Sequence, residues 1–533
     1  MKSLITKRQL LFVILVLLCG INPIYADTSK ELYVSMGNLS DLLPERERFE
    51  ITDLTLSGKL NIYDIEVIRQ MGRCLKSDGS RYDGHLRYLD LSNATFVGNE
   101  ILEIPNSNIT LQFNNGSGYY LFSDMKSLHT IKLPNSMKTL GQYLFINCDS
   151  LTSVTLPKSL EDFWDYNNFL EDDNLTSILI DDSNPYYSSD GSALFDKYKT
   201  KMIFAVNSLR EYAIPSSVSE IDYFAFENCR HLKTLVLPLR LKREYVSASI
   251  FQNCDSLYSI SVDEKNPYLC SDGSALYNKD KSDLVFVCHT VRKMSIPSSV
   301  TEIGNYAFYG CTNLTSIELP SGVTWLRYAA FGNCTNLSSI TLPSGVKNIE
   351  SYTFQNCTSL ASVTLPSGVK NIESYTFQNC KSLASVTLPS GVERIKYSAF
   401  NGCESLRSIT LPSNVKEIGS NAFSGCKGLT SIYAFMEKPC KIQETAFESE
   451  TKINATLYVP KGSLLDYWDD NQWKKFMNIE EFDATSIGSL NTNANDIQEV
   501  SRYSDNGQRL NTPAKGLNIV KYNNGTVKKI MVK

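Results

Sequence analysis

Residues 344–366 read SGVKNIESYTFQNCTSLASVTLP, and residues 367–389 repeat that string with one change, Lys381 for Thr358. The copy is the sharpest part of a regularity that runs from Val300 to Leu429. Phe308, Phe331, Phe354, Phe377, Phe400 and Phe423 stand 23 residues apart. Cys311, Cys334, Cys357, Cys380, Cys403 and Cys426 keep the same step, and so do Leu314, Leu337, Leu360, Leu383, Leu406 and Leu429. A constant period of roughly 20–50 residues marks a stack of equal coils instead of one globule. Two nearly identical coils also argue against chemistry unique to either.

One coil can be written out from Leu314. Leu314, Ile317 and Leu319 point inward, Pro320 stops the strand, and Ser321-Gly322 turns the chain. Val323 and Leu326 re-enter the interior, then Phe331 and Cys334 close the coil. About seven apolar side chains are buried per coil, each contributing roughly 1.5–3 kcal/mol before entropy. Further phenylalanine-centred coils fall at Phe145, Phe169, Phe226, Phe251 and Phe447. With two longer excursions this gives about thirteen layers at the spacing of neighbouring strands. The expected architecture is a right-handed coil stack with one continuous parallel sheet and little regular helix. Equivalent cysteines of neighbouring coils run parallel, so they are expected as small buried hydrophobes with free thiols. Cys270, Cys288 and Cys440 lie off the ladder, and a Cys270–Cys288 bridge stays open.

Two stretches break the rhythm. Asn184-Pro185 followed by Asp190-Gly191 returns 82 residues later as Asn266-Pro267 and Asp272-Gly273. Both are turn formers, so each stretch is expected as a hairpin-like excursion that rejoins the stack at Ile214 or Ile296. A stack end would expose apolar side chains and open strand edges, so both ends need lids. Residues 27–130 are read as the N-terminal cap, with repeat-like strands at Ile51–Leu56 and Leu86–Leu91 and helical spacing from Ile62 to Leu75. Repeats follow over 131–450. A C-terminal cap covers 451–482, with a strand at Ala455–Val459 and a helix over Ser463–Phe476 that Ser463 could cap. A linker (483–496) leads to a small β tail (497–533) with turn signals at Asp505-Asn506-Gly507 and Asn523-Asn524-Gly525.

Residues 1–26 look like an export signal: Lys2, Lys7 and Arg8, an apolar run from Leu10 to Leu18, and Ala26 before Asp27. The run is too short to span a bilayer. The chain carries 57 acidic and 52 basic residues, a net charge of −5. That balance argues against electrostatic nucleic-acid binding, which needs a clustered basic face.

The unit Leu-x-x-Ile-x-Leu-Pro-x-x-Val-x-x-Ile-x-x-x-Ala-Phe-x-x-Cys, as in Leu406–Cys426, resembles the BspA-like (Treponema-type) leucine-rich repeats of bacterial surface proteins. The resemblance covers about 131–480. It implies an α/β-type leucine-rich-repeat solenoid and a surface protein of the Bacteroidetes. The tail, with Asp505-Asn506-Gly507-Gln508-Arg509 and Lys515-Gly516-Leu517, is similar to the sorting domains of type IX secretion in that phylum. Membership implies adhesion to matrix proteins such as fibronectin or fibrinogen, or to other bacteria.

The residues themselves offer two candidate partner-binding sets. Exposed positions of the repeat strands form a Ser/Thr face: Glu318, Thr341, Thr364, Thr387, Thr410 and Tyr433, with serines beside them. Separately, Asp162, Asp165, Asp172 and Asp173 belong to an acidic cluster interleaved with Trp164 and Tyr166, and no Lys or Arg intervenes. It reads as a solvated edge or as a site for a cation or a basic partner. Four histidines, His85, His129, His231 and His289, lack metal spacing, and no nucleophile elbow, phosphate loop or dinucleotide fingerprint occurs. No catalytic residue, metal or cofactor is assigned. The expected function is a monomeric, exported, non-enzymatic scaffold that binds an extracellular protein or glycan, on the cell surface or secreted. The alternatives are a glycan-binding or glycan-processing surface protein and a purely structural one.

Overall fold

The computed structural model describes residues 27–76, 78–104, 109–114, 117–163, 169, 173–483, 499–504, 509–510, 512, 515–522 and 527–532. It is a β-solenoid of about 19 turns, 9% helical. The count of thirteen layers falls short because coils outside the phenylalanine–cysteine ladder keep the strand register while losing that signature. The chain divides into two compact units, Met1–Leu232 with Ile250–Cys254 and Lys233–Ser249 with Asp255–Lys533.

In the first unit six strands form one parallel sheet in chain order: Ser29–Val34, Asp53–Leu60, Tyr88–Phe96, Thr130–Lys132, Ser153–Leu156 and Ser177–Ile180. The inward row Leu54, Leu89, Ile131, Val154 and Ile178 is in register and buried. The predicted helix is present as Ile62–Met71. It is started by a capping box in which the Asn61 side chain accepts from the Tyr63 and Asp64 N–H groups and Asp64 accepts from the Asn61 N–H. Phe122, Phe145 and Phe169 stack in sequence at 5.8 and 5.5 Å, so the aromatic column begins before residue 130.

In the second unit the coils of the phenylalanine–cysteine repeat carry two parallel ladders. The expected one joins Ser316–Glu318 to Ser339–Thr341, Ser362–Thr364 to Ser385–Thr387, and Ser408–Leu411 through Ser431–Ala434 and Thr456–Pro460 to Asn478–Phe482. It is segmented and not continuous. Three-residue strands make few slanted bonds per interface, so small changes in coil spacing interrupt the ladder. A second ladder of two-residue strands runs on the far side of the Pro-Ser-Gly turn. It pairs Ile303, Leu326 and Ile349, and then Ile372, Ile395, Ile418 and Ile442.

The return arc of each coil has its own bonding. Tyr352, Phe354 and Asn356 donate their N–H groups to Ser374, Thr376 and Gln378 of the next coil at 2.8–3.1 Å. Two residues per arc take a left-handed conformation, for example Tyr352 (φ 64°) and Asn356 (φ 57°). Asn333, Asn356 and Asn379 occupy the second of these positions and link side chain to side chain at 2.7 and 2.9 Å. Asparagine tolerates that conformation at little cost.

The column Phe308 to Phe447 stacks with centroids 4.7–5.7 Å apart and ring planes within 13°. Cys311 through Cys426 are buried free thiols, as expected. Their role is more specific than filling. The thiols of Cys334, Cys357, Cys380, Cys403 and Cys426 donate to the carbonyls of Phe308, Phe331, Phe354, Phe377 and Phe400 at 3.0–3.2 Å. A small apolar side chain with a weak donor suits a dry site that holds a carbonyl lone pair. Cys270 and Cys288 are not bridged.

Both excursions are antiparallel hairpins. One uses Tyr187–Ser189, Ala193–Asp196 and Lys201–Ala205; the other uses Leu269–Ser271, Ala275–Asn278 and Asp283–Val287. Each returns by pairing in parallel with a two-residue strand, Glu220–Ile221 or Glu302–Ile303. The asparagines before the prolines are fully buried posts. Asn266 donates to the Pro238 and Leu241 carbonyls and accepts from the Tyr268 and Leu269 N–H groups. Asn184 makes the equivalent four bonds.

Residues 464–476 pack on the last ring of the column. Trp473 and Phe476 pack on Phe447 at 6.2 and 5.4 Å, and the Trp473 indole donates to the Cys440 carbonyl at 2.7 Å. The expected helix is split into Leu464–Asp469 and a short turn Trp473–Lys475. Ser463 makes no side-chain cap. Asp470 instead accepts from the Gln472 and Trp473 N–H groups and restarts the chain between the two. The tail strands Arg509–Leu510, Glu499–Ser504, Gly516–Tyr522 and Val527–Val532 form a four-stranded antiparallel sheet.

Candidate binding faces

The Ser/Thr face stands where the repeat pattern puts it. Glu318, Thr341, Thr364, Thr387 and Thr410 are exposed, each beside a buried Ile, Val or Leu. The register lines up Glu318 with Thr341, Thr364 with Thr387, and Thr410 with Tyr433. At its C-terminal end the face turns aromatic. Tyr433 stacks on Tyr458 at 4.6 Å, and Phe482 meets Tyr433 and Phe435 edge-on at 6.1 and 5.1 Å. Tyr433, Phe435, Tyr458 and Phe482 are all half-buried. Burial raises the Tyr433 phenol above its ordinary value. Only Tyr433 of this cluster was singled out in the sequence. Phe435 follows it on the same coil, and Tyr458 and Phe482 come from beyond residue 450 and meet it through the parallel ladder.

Further round the coil lies a feature that the fixed period hides. Tyr306, Tyr328, Tyr352, Tyr375 and Tyr397 follow one another with centroids 5.3, 5.1, 4.4 and 5.1 Å apart. Tyr328 and Tyr397 are 36% and 42% exposed, and the other three are half-buried. Their sequence steps are not constant, because Tyr306, Tyr352 and Tyr375 occupy the first left-handed position of the arc while Tyr328 and Tyr397 precede it. Burial, with the neighbouring Tyr328 as second cause, pushes the Tyr306 phenol up to about 12. Beside the ladder, Arg327 pairs with Glu302, lies 3.7 Å from the Trp325 ring centre and approaches Glu350 at 3.7 Å. The Trp325 indole donates to Glu350 at 2.7 Å, and Lys396 pairs with Glu373 at 2.6 Å.

A family model of the BspA type leucine-rich repeat region, in six copies, matches residues 99–196, 197–278, 281–407 and 370–498. The chain belongs to this family. Bacterial leucine-rich repeat proteins of known structure are similar to it at 19–22% identity. A leucine-rich repeat protein from Eubacterium ventriosum is 19% identical, with 75% of this chain and 87% of that chain covered and a TM-score of 0.40. One from Bacteroides ovatus is 22% identical, with 72% and 99% covered and a TM-score of 0.39. A leucine-rich cell surface protein from Faecalibacterium prausnitzii is 20% identical, with 68% and 92% covered and a TM-score of 0.37. No curated protein matches the chain.

The acidic set of this BspA-type chain is only partly in view. Trp164, Asp165, Tyr166 and Asp172 lie outside the described residues. Among the described ones, Glu161 pairs with Lys138 at 2.7 Å and Asp173 lies 3.6 Å from Arg230. Asp181 holds the Ser183 N–H and hydroxyl. Asp162 sits in a short parallel bridge to Thr139. The absence of basic residues within the sequence window is thus offset by cations from neighbouring coils. Among the described residues no group of three or more His, Cys, Asp and Glu side chains could hold a metal ion. Three of the four histidine rings have local contacts: His85 with the Phe49 carbonyl, His129 with the Ser127 carbonyl, and His289 edge-on to Phe286. Among the described residues no helix is long and apolar enough to cross a membrane.

Proposed function

We propose that this chain is an exported, non-enzymatic repeat scaffold that docks an extracellular protein on its Ser/Thr strand face. One observation carries the reading: the row from Glu318 to Thr410 is exposed and almost uncharged, and it runs into the cluster Tyr433, Tyr458, Phe435 and Phe482. Polar surface around aromatic side chains of low conformational entropy is the anatomy of an interface with its hot spot. The signal-like segment 1–26 and the similarity of the tail to sorting domains support display on the cell surface or secretion. The family's surface proteins make matrix glycoproteins such as fibronectin and fibrinogen the first partners to try.

The test is surface plasmon resonance of the full chain over immobilised fibronectin and fibrinogen. Saturable binding is expected, weakened at least about ten-fold by Tyr433→Ala with Tyr458→Ala, because interface tyrosines of this kind contribute about 1–2 kcal/mol each. Binding that is indifferent to this pair, or no binding to any matrix protein, overturns the reading.

A further inference from the structure

The tyrosine ladder has no part in the strand-face reading, and its cost points to a use. Tyr306, Tyr352 and Tyr375 hold φ of 57°, 64° and 61°. A bulky L-residue gives up roughly 1–2 kcal/mol in that region, and such outliers persist where something other than the backbone requires them. The backbone does not require tyrosine there. Ala329, Ser398 and Asn421 fill the same arc position with φ of 51°, 51° and 56°. The five rings are not part of the buried core either, which in these coils is made of Phe, Cys, Leu, Ile, Val and Ala side chains.

The ladder is also electrically neutral. The charges beside it are satisfied among themselves: Glu302 with Arg327, Arg327 and Trp325 with Glu350, and Glu373 with Lys396. Along the arc lie uncharged amides. Gln355 donates to Gln378 at 2.7 Å, and the Asn421 amide reaches the Tyr397 hydroxyl at 3.4 Å. The surface is therefore a repeating row of rings with centroids at 4.4–5.3 Å steps, with phenol hydroxyls and amides along it. Tyr352 and Tyr375 cover each other's faces at 4.4 Å and 19°, whereas Tyr328, turned 62° and 45° to its neighbours, and Tyr397, turned 69° to Tyr375, tilt out of the stack and are the two most exposed rings.

We propose that the ladder from Tyr306 to Tyr397 is a docking platform for an uncharged, linear glycan laid along the stack. The ring faces are negative and attract the polarised C–H groups of a pyranose ring, while the hydroxyls and amides bond its hydroxyls. One tyrosine per coil presents a repeating surface to a repeating ligand, each step comparable with the length of one hexose. Many weak contacts then add in one rigid array. A protein interface concentrates its anchors in a central cluster, as the rings around Tyr433 do, whereas the ladder spreads its rings along a row.

The experiment is isothermal titration calorimetry of the full chain with hexamers and dimers of β-1,4-glucan, β-1,4-mannan and α-1,4-glucan. At least one hexamer is expected to bind, at least about ten-fold more tightly than its dimer, since affinity must grow with the number of rings covered. Tyr352→Asn with Tyr375→Asn keeps a residue suited to the left-handed backbone, as at Asn421, and should weaken binding at least ten-fold with an unchanged melting temperature. Tyr328→Ala with Tyr397→Ala should do the same from the two exposed rings. Tyr433→Ala should leave glycan binding intact, which separates failure here from failure of the strand-face reading. No binding by any hexamer, equal affinity for hexamer and dimer, or full binding by both ladder variants overturns the proposal. So does loss of a protein ligand alone from those variants.

Discussion

Replacing Asn266 tests how the excursions are held to the stack. Its side chain is fully buried and makes four hydrogen bonds of 2.8–3.0 Å. In Asn266→Ala the N–H groups of Tyr268 and Leu269 and the Leu241 carbonyl lose that partner, whereas the Pro238 carbonyl keeps the Leu241 N–H. Each orphaned buried group costs about 1–3 kcal/mol, so three of them cost about 3–6 kcal/mol after partial hydration. A solenoid coil touches only its neighbours, so the loss should be local. Amide exchange should quicken first in the hairpin 269–287, and the urea midpoint should fall afterwards. Asn184→Ala should do the same to the hairpin 187–205 of the other unit. Asn266→Asp adds a pH signature. Its carboxyl would face two carbonyl oxygens, which favours the neutral acid and raises the folded-state pKa above the unfolded value of about 3.9. The folded form then binds more protons, so stability is greatest below that value and declines as pH rises through the folded pKa. An Asn266→Ala protein that exchanges and melts like the parent, within about 1 kcal/mol, would refute the account.

Two further outcomes follow from the core. Phe377→Ala should lower stability by about 3–5 kcal/mol in urea titration, because it opens a cavity between rings stacked at 5.4 and 5.2 Å. Burial pushes the Cys357 thiol up to about 12, so in the native protein an Ellman's reagent assay near pH 8 should detect the half-exposed Cys270 and not the ladder thiols. The thiol's ordinary value is 9.0. The folded state therefore keeps its protons longer, and stability should decline as pH rises from about 9 towards 12.

The period of phenylalanine, cysteine and leucine determined the coil, its buried row and the exposure of Thr341, Thr364, Thr387 and Thr410, because a strict repeat forces equivalent residues into equivalent environments. The Asn-Pro and Asp-Gly pairs determined the hairpins for a local reason, turn chemistry. What depends on contact between coils was not legible. The tyrosine ladder hides from a fixed step because neighbouring coils deliver a ring from two different arc positions, and it shows only by allowing one residue of slack. The thiol–carbonyl bonds, the partners of Glu161 and Asp173, and the meeting of Tyr433 with Tyr458 and Phe482 are likewise settled between coils. One-dimensional periodicity fixes which side of the chain faces in; the register of one turn upon the next decides which side chains touch.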